Sequence, residues 1–371
     1  MKLALVRQHY RPDGGAERFV SRALDALAHV KSLSVSVITR GWESHDAPAY
    51  EVITCNPPIK GRIQREQAFA SEAIKHFAQF DIVQSHERIP GCHIYRSGDG
   101  VHEEWLHQRS RILSPLKRAF LWRSRFHRYV MAQEKAMYQH PALKAVICNS
   151  RMVADEIKRY FDLPEEKIAL IYNGVNTEVF HPSVRDEHRE AIRTQLAIPA
   201  DAPVMIFVGS GFERKGLDGA LNAIRHEADV HLLVVGKDKN PRRYARLCRR
   251  YGIEGRVHFV GMQKDTRPWY GAADMLLLPT LYDPFPNVIL EAMACGLGVI
   301  TSTKCGGQEF IEEGKNGFVR DALDMPGLQQ AVTQARKAGF EPLGRSARES
   351  VLPWNLETLS QNMVALYSRL I

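Results

Sequence analysis

Short apolar runs alternate with helical patterns along the whole chain. The predicted strands are Leu3–Val6, Val35–Thr39, Asp81–Gln84, Ala145–Cys148, Val204–Val208, His231–Val235, Val257–Val260, Met275–Leu278 and Gly298–Thr301. Continuous apolar strands separated by helices are typical of parallel sheets that are covered on both faces. No repeat at a fixed period is present, which argues against a solenoid. The pattern therefore predicts an α/β protein.

The length of the chain and a polar stretch in its middle predict two domains. The 371 residues exceed what one ordinary hydrophobic core organises. A charged, proline-flanked stretch over residues 181–200 follows Asn173 and separates the two sets of strands. We expect two Rossmann-like domains facing across a cleft, one over residues 1–172 and the other over residues 173–354.

Two acids, Asp283 and Glu291, bracket a predicted loop-to-helix junction. Two prolines disfavour helix before Asn287, and good helix formers follow it as far as a glycine. The first-turn amides near Asn287 and Val288 are orphan donors that suit a phosphate. Glu291 could then accept from ribose hydroxyls and Asp283 from the hydroxyls of an attached sugar. A buried helix with an incidental acid is the alternative.

A basic loop follows the predicted strand Val204–Val208. Gly209 ends the strand, and Arg214 and Lys215 lie five and six residues further on. Adjacent cations at the carboxyl end of a strand neutralise charge that builds on a departing nucleotide diphosphate. The alternative is a solvated basic turn.

A pair of glycines, Gly14 and Gly15, follows the first predicted strand. A predicted helix over Phe19–Ala28 comes next. Glycines at such a turn let the backbone approach a ligand, and the helix N-terminus favours an anion. Tight turns without a binding role use the same residues.

These motifs together resemble family 4 retaining glycosyltransferases. The spacing of Asp283 and Glu291 and the Glu-Ala-Met-Ala-Cys-Gly tail resemble the two-acid signature of the family, although its first acid is usually Glu. Gly-Gly-Ala-Glu-Arg at residues 14–18, which includes Glu17, is similar to the donor-contacting loop. Gly-Ser-x-x-x-Arg-Lys-Gly at residues 209–216 looks like the phosphate-clamp loop. Since Asp is one methylene shorter than Glu, the departure bears on the donor sugar more than on the reaction class.

The resemblance implies a GT-B fold and a role for each motif. The C-terminal domain would bind the nucleotide-sugar and the N-terminal domain the acceptor, with a last helix over residues 355–371 returning to the N-terminal domain. Arg214 and Lys215 would hold the diphosphate. Glu291 would hold the ribose, and Asp283 the donor sugar.

The resemblance alone implies three further site residues. Phe259 and Val260 end a strand where the backbone of the family reads the nucleotide base. Asn173 lies at the interdomain hinge. As plain sequence features, they are equally compatible with an ordinary strand and an ordinary turn.

The resemblance also implies the reaction. A hexose, either glucose or N-acetylhexosamine, would pass from a UDP-sugar to a lipopolysaccharide core or related lipid-linked glycan, with retention at the anomeric carbon. No Asp-x-Asp triad occurs in the chain. Because magnesium-dependent transferases generally use such carboxylates, we expect neither a metal nor another cofactor.

The loop Ser97–His102 offers two candidates for the reacting side. In family members that glucosylate the lipopolysaccharide core, an Asp at the place of Asp99 faces the donor sugar. Other members carry a His nearby, for which His102 is the candidate. Gly-Asp-Gly is also simple turn chemistry.

The positive charge is concentrated in one segment. Seven basic residues and no acid lie between Trp105 and Met131, which nearly equals the net charge of +8. Projected as one helix, residues 116–131 have an apolar side with Trp122 and a basic side. The basic side carries Lys117, Arg118, Arg125 and Arg128. Such a helix fits contact with anionic lipid or a phosphorylated glycolipid. The alternatives are a domain helix packed on the core, and nucleic acid, for which no recognised motif is present.

Composition favours a cytoplasmic protein, and the resemblance together with the basic segment implies that it is peripheral on the inner face of the cytoplasmic membrane. The first apolar run is too short for a signal peptide, and no run is long enough to span a bilayer. Six scattered cysteines predict neither a zinc site nor a disulfide framework. The main alternative function is a UDP-sugar epimerase of the same two-domain architecture, and a non-catalytic nucleotide-sugar-binding or nucleic-acid-binding protein is a third.

Overall fold

The computed structural model describes residues 1–10, 34–42 and 50–370. Their strands are β1 Lys2–Val6, β2 His9–Tyr10, β3 Ser34–Thr39, β4 Gly41–Trp42, β5 Glu51–Thr54, β6 Ile82–Ser85, β7 Ile94–Ser97, β8 Ala145–Cys148, β9 Ile168–Leu170, β10 Val204–Val208, β11 His231–Val235, β12 Val257–Gly261, β13 Met275–Leu278, β14 Gly298–Ser302 and β15 Gly317–Arg320. All nine predicted strands are confirmed, with bounds that differ by no more than one residue.

Helices cover the sheets. Those in the described ranges are α1 Arg62–Phe77, α2 His102–Ser110, α3 Pro115–Arg123, α4 Arg125–Tyr138, α5 Arg151–Phe161, α6 Val184–Gln195, α7 Phe212–Lys215, α8 Leu217–Ala223, α9 Pro241–Tyr251, α10 Arg267–Ala272, α11 Asn287–Ala294, α12 Met325–Ala338, α13 Phe340–Val351 and α14 Leu356–Leu370. Within these ranges, none is both long and apolar enough to cross a bilayer.

The chain forms two compact units. The first comprises Met1–Asn173 and Leu356–Ile371, and the second comprises Gly174–Asn355. Because α14 belongs to the first unit, the C-terminal segment is part of a core that begins with the N-terminal strand. Tyr367 on this helix donates its hydroxyl to Gln84 Oε1 on β6 at 2.7 Å.

The first unit is built on a seven-stranded parallel sheet in the order β5-β3-β1-β6-β7-β8-β9. One face packs under α14, where Leu359, Met363 and Leu366 cover Leu5 and Ile82. The other face carries a second apolar cluster, to which α1, α4 and α5 contribute side chains. Burial on both faces explains why β1, β6, β7 and β8 are buried along nearly their whole length rather than on alternate residues.

The second unit has a six-stranded parallel sheet in the order β12-β11-β10-β13-β14-β15. Chain order runs outward from β10 to β12 and then resumes on the other side of β10 with β13. This is the doubly wound arrangement, in which ligands bind beyond the carboxyl ends of the strands at the point where the order reverses. A ligand is therefore expected to bind at the loops after β10 and β13.

The basic segment departs from the prediction of one helix over residues 116–131. It forms two helices, α3 and α4, which are separated at Ser124. Ser124 has extended backbone angles and its side chain accepts from His127 N, so it caps α4. The apolar spacing continues across the break, which is why the sequence pattern did not reveal it.

Two apolar side chains of this segment, Leu116 and Phe120, lie at the surface. They are 69% and 66% exposed, on the same short helix as Lys117 and Arg118. Core packing, which was the alternative to lipid contact, therefore does not apply to these two side chains. Leu121 on α3 and Val130 on α4 are the buried apolar residues of the segment.

Candidate functional site

Two cations and one carboxylate meet where the strand order of the second unit reverses. Arg214 and Lys215 lie on α7, after β10, and Asp283 follows β13. Lys215 Nζ donates to Asp283 Oδ2 at 2.6 Å, and Arg214 Nη1 donates to the same oxygen at 2.9 Å. Lys215 and Asp283 are buried, whereas the Arg214 side chain is 40% exposed. The structure thus brings together three residues that the sequence places 68 and 69 positions apart.

The backbone fixes this arrangement. The carbonyl oxygen of Arg214 accepts from Leu281 N and from Thr280 Oγ1, both at 2.9 Å. Gly216 has a φ of +80°, and a Cβ there would lie 1.8 Å from the carbonyl oxygen of Pro279. Only glycine permits this close approach, so the basic loop packs directly on the loop that carries Asp283.

Asp283 is an ionised partner of both cations. Burial on its own would raise its pKa, but the charges of Lys215 and Arg214 and their hydrogen bonds hold the pKa below the ordinary value. Two cations share one carboxylate, so the cluster keeps a surplus positive charge that suits an anion. In the structure the Asp283 carboxylate contacts these two cations. Its contact with a donor sugar stays a prediction.

The helix predicted after Asp283 is present as α11, which begins at Asn287. Asn287 and Val288 are partly buried in its first turn. Glu291 is 2% exposed, and its Oε2 accepts from the hydroxyl of Tyr270 at 3.1 Å. Hydrogen bonding explains how this apolar helix accommodates a carboxylate. The ribose contact assigned to Glu291 stays a prediction.

The residues predicted to face a nucleotide base lie on the edge strand β12. Phe259 is 43% exposed, and its ring lies 6.4 Å from that of Phe212 in the basic loop. The carbonyl oxygen of Val260 accepts from Gln263 Nε2 at 2.7 Å. This end of the strand therefore presents an open aromatic ring and a carbonyl that already has one donor.

Asp99 and His102 belong to the first unit. The Asp99 side chain is 62% exposed and lies 3.8 Å from Arg88 Nη1. His102 begins α2, and its Nε2 lies 3.0 Å from His127 Nδ1. Burial, followed by the nearby charge of Arg88, lowers the pKa of His102 to about 3, so its imidazole is neutral at physiological pH.

The remaining predicted site residues separate into two groups. Asn173 is buried at the end of the first unit, where its Oδ1 accepts from Arg96 Nη2 at 2.8 Å. Gly14, Gly15 and Glu17 lie outside the described residues. Their predicted role stays a prediction.

The basic segment presents charged and apolar side chains together. Lys117, Arg118, Arg125 and Arg128 are exposed. Trp122 is partly buried and donates its Nε1 to Ser110 Oγ at 3.1 Å, so it anchors α3 to α2. The large exposed apolar side chains of this segment are Leu116 and Phe120, one helical turn apart on α3.

Two family models match the chain. One, described as Glycosyltransferase Family 4, matches residues 13–179, and the other, described as Glycosyl transferases group 1, matches residues 202–337. Between them they span most of the sequence. The chain belongs to the family 4 glycosyltransferases. The family and the enzyme class expected from the motifs are thereby confirmed, and an epimerase is not favoured.

Similar proteins extend along nearly the full length of this glycosyltransferase. It is 28% identical over 355 residues to the lipopolysaccharide glucosyltransferase WaaG of Escherichia coli K12, with 90% of each chain covered. It is 26% identical over 365 residues to the lipopolysaccharide core biosynthesis glycosyltransferase LpsE of Rhizobium meliloti, with 95% of this chain and 97% of LpsE covered.

Solved structures show the fold. The crystal structure of WaaG matches with a TM-score of 0.81 at 23% identity, covering 98% of this chain and 99% of WaaG. HepE of Anabaena in complex with UDP-glucose matches with a TM-score of 0.74 at 19% identity, with both chains fully covered. The expected α/β fold of the GT-B type is confirmed.

Sequence reasoning missed one loop of the glycosyltransferase that contacts the acid. Asp283 N donates to the carbonyl oxygen of Lys304 at 3.0 Å, and Gly306 N donates to that of Asp283 at 2.9 Å. The available signal was Gly306–Gly307 shortly after a predicted strand, the same pattern that drew attention to Gly14 and Gly15.

Replacing Asp283 by Asn is expected to remove an acid-sensitive part of the stability of the enzyme. The folded-state pKa of Asp283 is depressed, so its ion pairs stabilise fully above the unfolded pKa of about 3.9 and lose this effect as pH falls through the folded pKa. Urea unfolding over a pH series would measure this. The difference in free energy of unfolding between wild type and Asp283→Asn should be constant near neutral pH and shrink below about pH 4.

Asp265→Asn is the matched control. Its pKa is also lowered, chiefly by a hydrogen bond from Arg267, but this pair is exposed. The control should therefore show a much smaller pH-dependent difference. Equal behaviour of the two variants would contradict the burial argument.

Proposed function

We propose that this glycosyltransferase moves a hexose, either glucose or N-acetylhexosamine, from a UDP-sugar to a lipopolysaccharide core or related lipid-linked glycan. The observation that carries the proposal is the Arg214–Lys215–Asp283 cluster at the strand reversal of a Rossmann-like unit. The names of WaaG and LpsE support the acceptor class, and the HepE complex with UDP-glucose supports the donor class.

In this proposal the second unit binds the nucleotide-sugar. Arg214 and Lys215 compensate the charge that grows on the diphosphate as the bond to the sugar breaks. Asp283 keeps the two cations at one position, and Asn287 and Val288 offer the first-turn amides of α11 to a phosphate. With two cations in this role, the reaction needs no metal and no other cofactor.

The stereochemical course that fits is retention by substitution on one face of the sugar. The bond from the anomeric carbon to the leaving phosphate oxygen breaks, and a bond to the acceptor oxygen forms on the same face. The leaving phosphate oxygen takes the acceptor's proton. No carboxylate nucleophile is required, so catalysis rests on orientation and charge stabilisation. The first unit binds the acceptor in this proposal, and Asp99 is the residue of that unit that takes part in the reaction.

A transfer assay tests the function. UDP-glucose, UDP-N-acetylglucosamine and UDP-galactose are each incubated with truncated lipopolysaccharide cores, with and without EDTA, and products are analysed for linkage. Transfer from one UDP-hexose that survives EDTA and retains the anomeric configuration is expected. Conversion of a UDP-sugar without acceptor would indicate an epimerase instead, and transfer that EDTA abolishes would refute metal independence.

We also propose that the enzyme is cytoplasmic and peripheral on the inner face of the cytoplasmic membrane, with no nucleic acid partner. The support is the exposed mixture of Leu116 and Phe120 with basic side chains on α3, followed by Arg125 and Arg128 on α4. Apolar side chains enter the interface while cations contact anionic headgroups, a combination that lies on a membrane rather than spanning it.

Replacing Arg118, Arg125 and Arg128 together by Gln is expected to weaken binding to phosphatidylglycerol-containing vesicles by at least about tenfold, because each surface cation contributes about 1 kcal/mol. UDP affinity should not change. Vesicle co-sedimentation and calorimetry measure the two quantities.

A matched control changes the same charge elsewhere. Arg242, Arg246 and Arg249 are exposed on α9 of the second unit. Their triple replacement by Gln should have little effect on vesicle binding. If both triple variants lose binding equally, net charge rather than the basic segment governs attachment.

A further inference from the structure

An ion pair in the first unit lies against the loop that carries Asp99. Arg88 follows β6, and Glu134 projects from α4. Arg88 Nε donates to Glu134 Oε1 at 2.8 Å, and the Glu134 side chain is 1% exposed. A carboxylate so deeply buried needs hydrogen bonds at both oxygens. Glu134 Oε2 therefore requires a donor other than Arg88 Nε.

Further contacts of Arg88 and Glu134 go to the loop. Arg88 Nη2 donates to the carbonyl oxygen of Gly100 at 3.2 Å, and Glu134 Oε2 accepts from His102 N at 3.0 Å. Arg88 Nη1 also lies 3.8 Å from Asp99 Oδ2. The loop is therefore held on the C-terminal side of Asp99 at two backbone positions, while the Asp99 carboxylate itself stays 62% exposed.

The loop needs such support because its sequence does not fix its shape. Glycines flank Asp99 on both sides, and Gly100 has a φ of +68°, a conformation that leaves many alternatives open to an unrestrained chain. Orientation of groups around a reacting centre accounts for a large part of catalysis. Fixing the backbone next to Asp99 thus has a direct consequence for the direction of its carboxylate.

We propose that Arg88 and Glu134 are positioning residues that hold the Gly98–His102 loop and thereby fix the direction of the Asp99 carboxylate, on which hexose transfer depends. This role rests on the proposed function of Asp99. His127 on α4 adds a third contact through the ring of His102. Because α4 also carries the exposed Arg125 and Arg128, the loop is bonded to a helix of the basic segment.

Hydrogen exchange tests the structural part without any substrate. In Glu134→Gln, the amide of His102 should exchange about tenfold faster, because it loses a charge-assisted acceptor. Glu104→Gln is the matched control. Glu104 is also buried in the first unit, and its oxygens accept from Gln108, Arg159 and Tyr160, which lie outside the Gly98–His102 loop. Equal exchange of the His102 amide in both variants would overturn the proposal.

Kinetics test the positioning part. Glu134→Gln should lower kcat for hexose transfer by about tenfold or more while leaving UDP affinity unchanged, because orientation and not nucleotide binding is lost. Arg88→Lys keeps the charge but cannot contact both Glu134 and the carbonyl oxygen of Gly100, so its kcat should lie between those of wild type and Glu134→Gln. It also provides the test if Glu134→Gln fails to fold. Faster loop exchange with unchanged kcat would overturn the role. If wild type transfers no hexose, the proposed function fails, and hydrogen exchange alone still decides whether the pair holds the loop.

Discussion

Lys215→Ala is expected to lower kcat at saturating donor by about 100- to 1,000-fold, the usual effect of removing one group that stabilises transition-state charge. Lys215 Nζ is buried at the carboxyl end of the second unit's sheet and lies 2.6 Å from Asp283 Oδ2. Its charge is held in place before substrate arrives. Steady-state kinetics with UDP-hexose and acceptor measure the loss, and an unchanged turnover would contradict the role.

A second variant separates catalysis from neutralisation of Asp283. If Lys215 served only to neutralise the buried carboxylate, the double variant Lys215→Ala with Asp283→Asn would turn over no more slowly than Asp283→Asn alone. If Lys215 acts on the diphosphate, the double variant is much slower than Asp283→Asn. Lys315→Ala is the surface control, since Lys315 forms an exposed pair with Glu312 in the same unit and should turn over like wild type.

The sequence predicts strands well where they are buried on both faces. β10, β11, β13 and β14 are buried along their whole length and were identified from continuous apolar runs. The half-exposed strand β5 lacks such a run and was not identified. Covering helices thus produce the pattern that makes prediction possible.

The candidate site was predictable in its parts but not in its contacts. Charged side chains in predicted loops after strands indicated Arg214, Lys215 and Asp283 individually. That both cations share Asp283 Oδ2 depends on β10 and β13 being neighbours in the sheet. Likewise, Arg88 and Glu134 are 46 residues apart. Tertiary packing determines side-chain pairs of this kind, and the spacing of residues in the sequence does not predict them.

Arg193→Ala is expected to destabilise the second unit by about 3–5 kcal/mol, the usual cost of removing one partner of a buried ion pair. Arg193 is 2% exposed on α6. Its Nη2 donates to Asp274 Oδ2 at 2.9 Å, and its other nitrogens donate to carbonyl oxygens, including that of Ala202 at 2.8 Å. Without the guanidinium these acceptors lose a donor together. Urea unfolding followed by fluorescence measures the change.

A second arginine that contacts Asp274, Arg185, provides the control variant. Asp274 Oδ2 also accepts from Val204 N at 2.9 Å, which fixes the start of β10, so loss of Arg193 acts on the strand that leads into the basic loop. Arg185 donates to Asp274 Oδ1 at 3.1 Å, but its side chain is 50% exposed. Arg185→Ala should therefore cost less than about 1 kcal/mol. Similar losses in the two variants would show that charge on Asp274, and not the buried hydrogen bonds of Arg193, stabilises this end of the sheet.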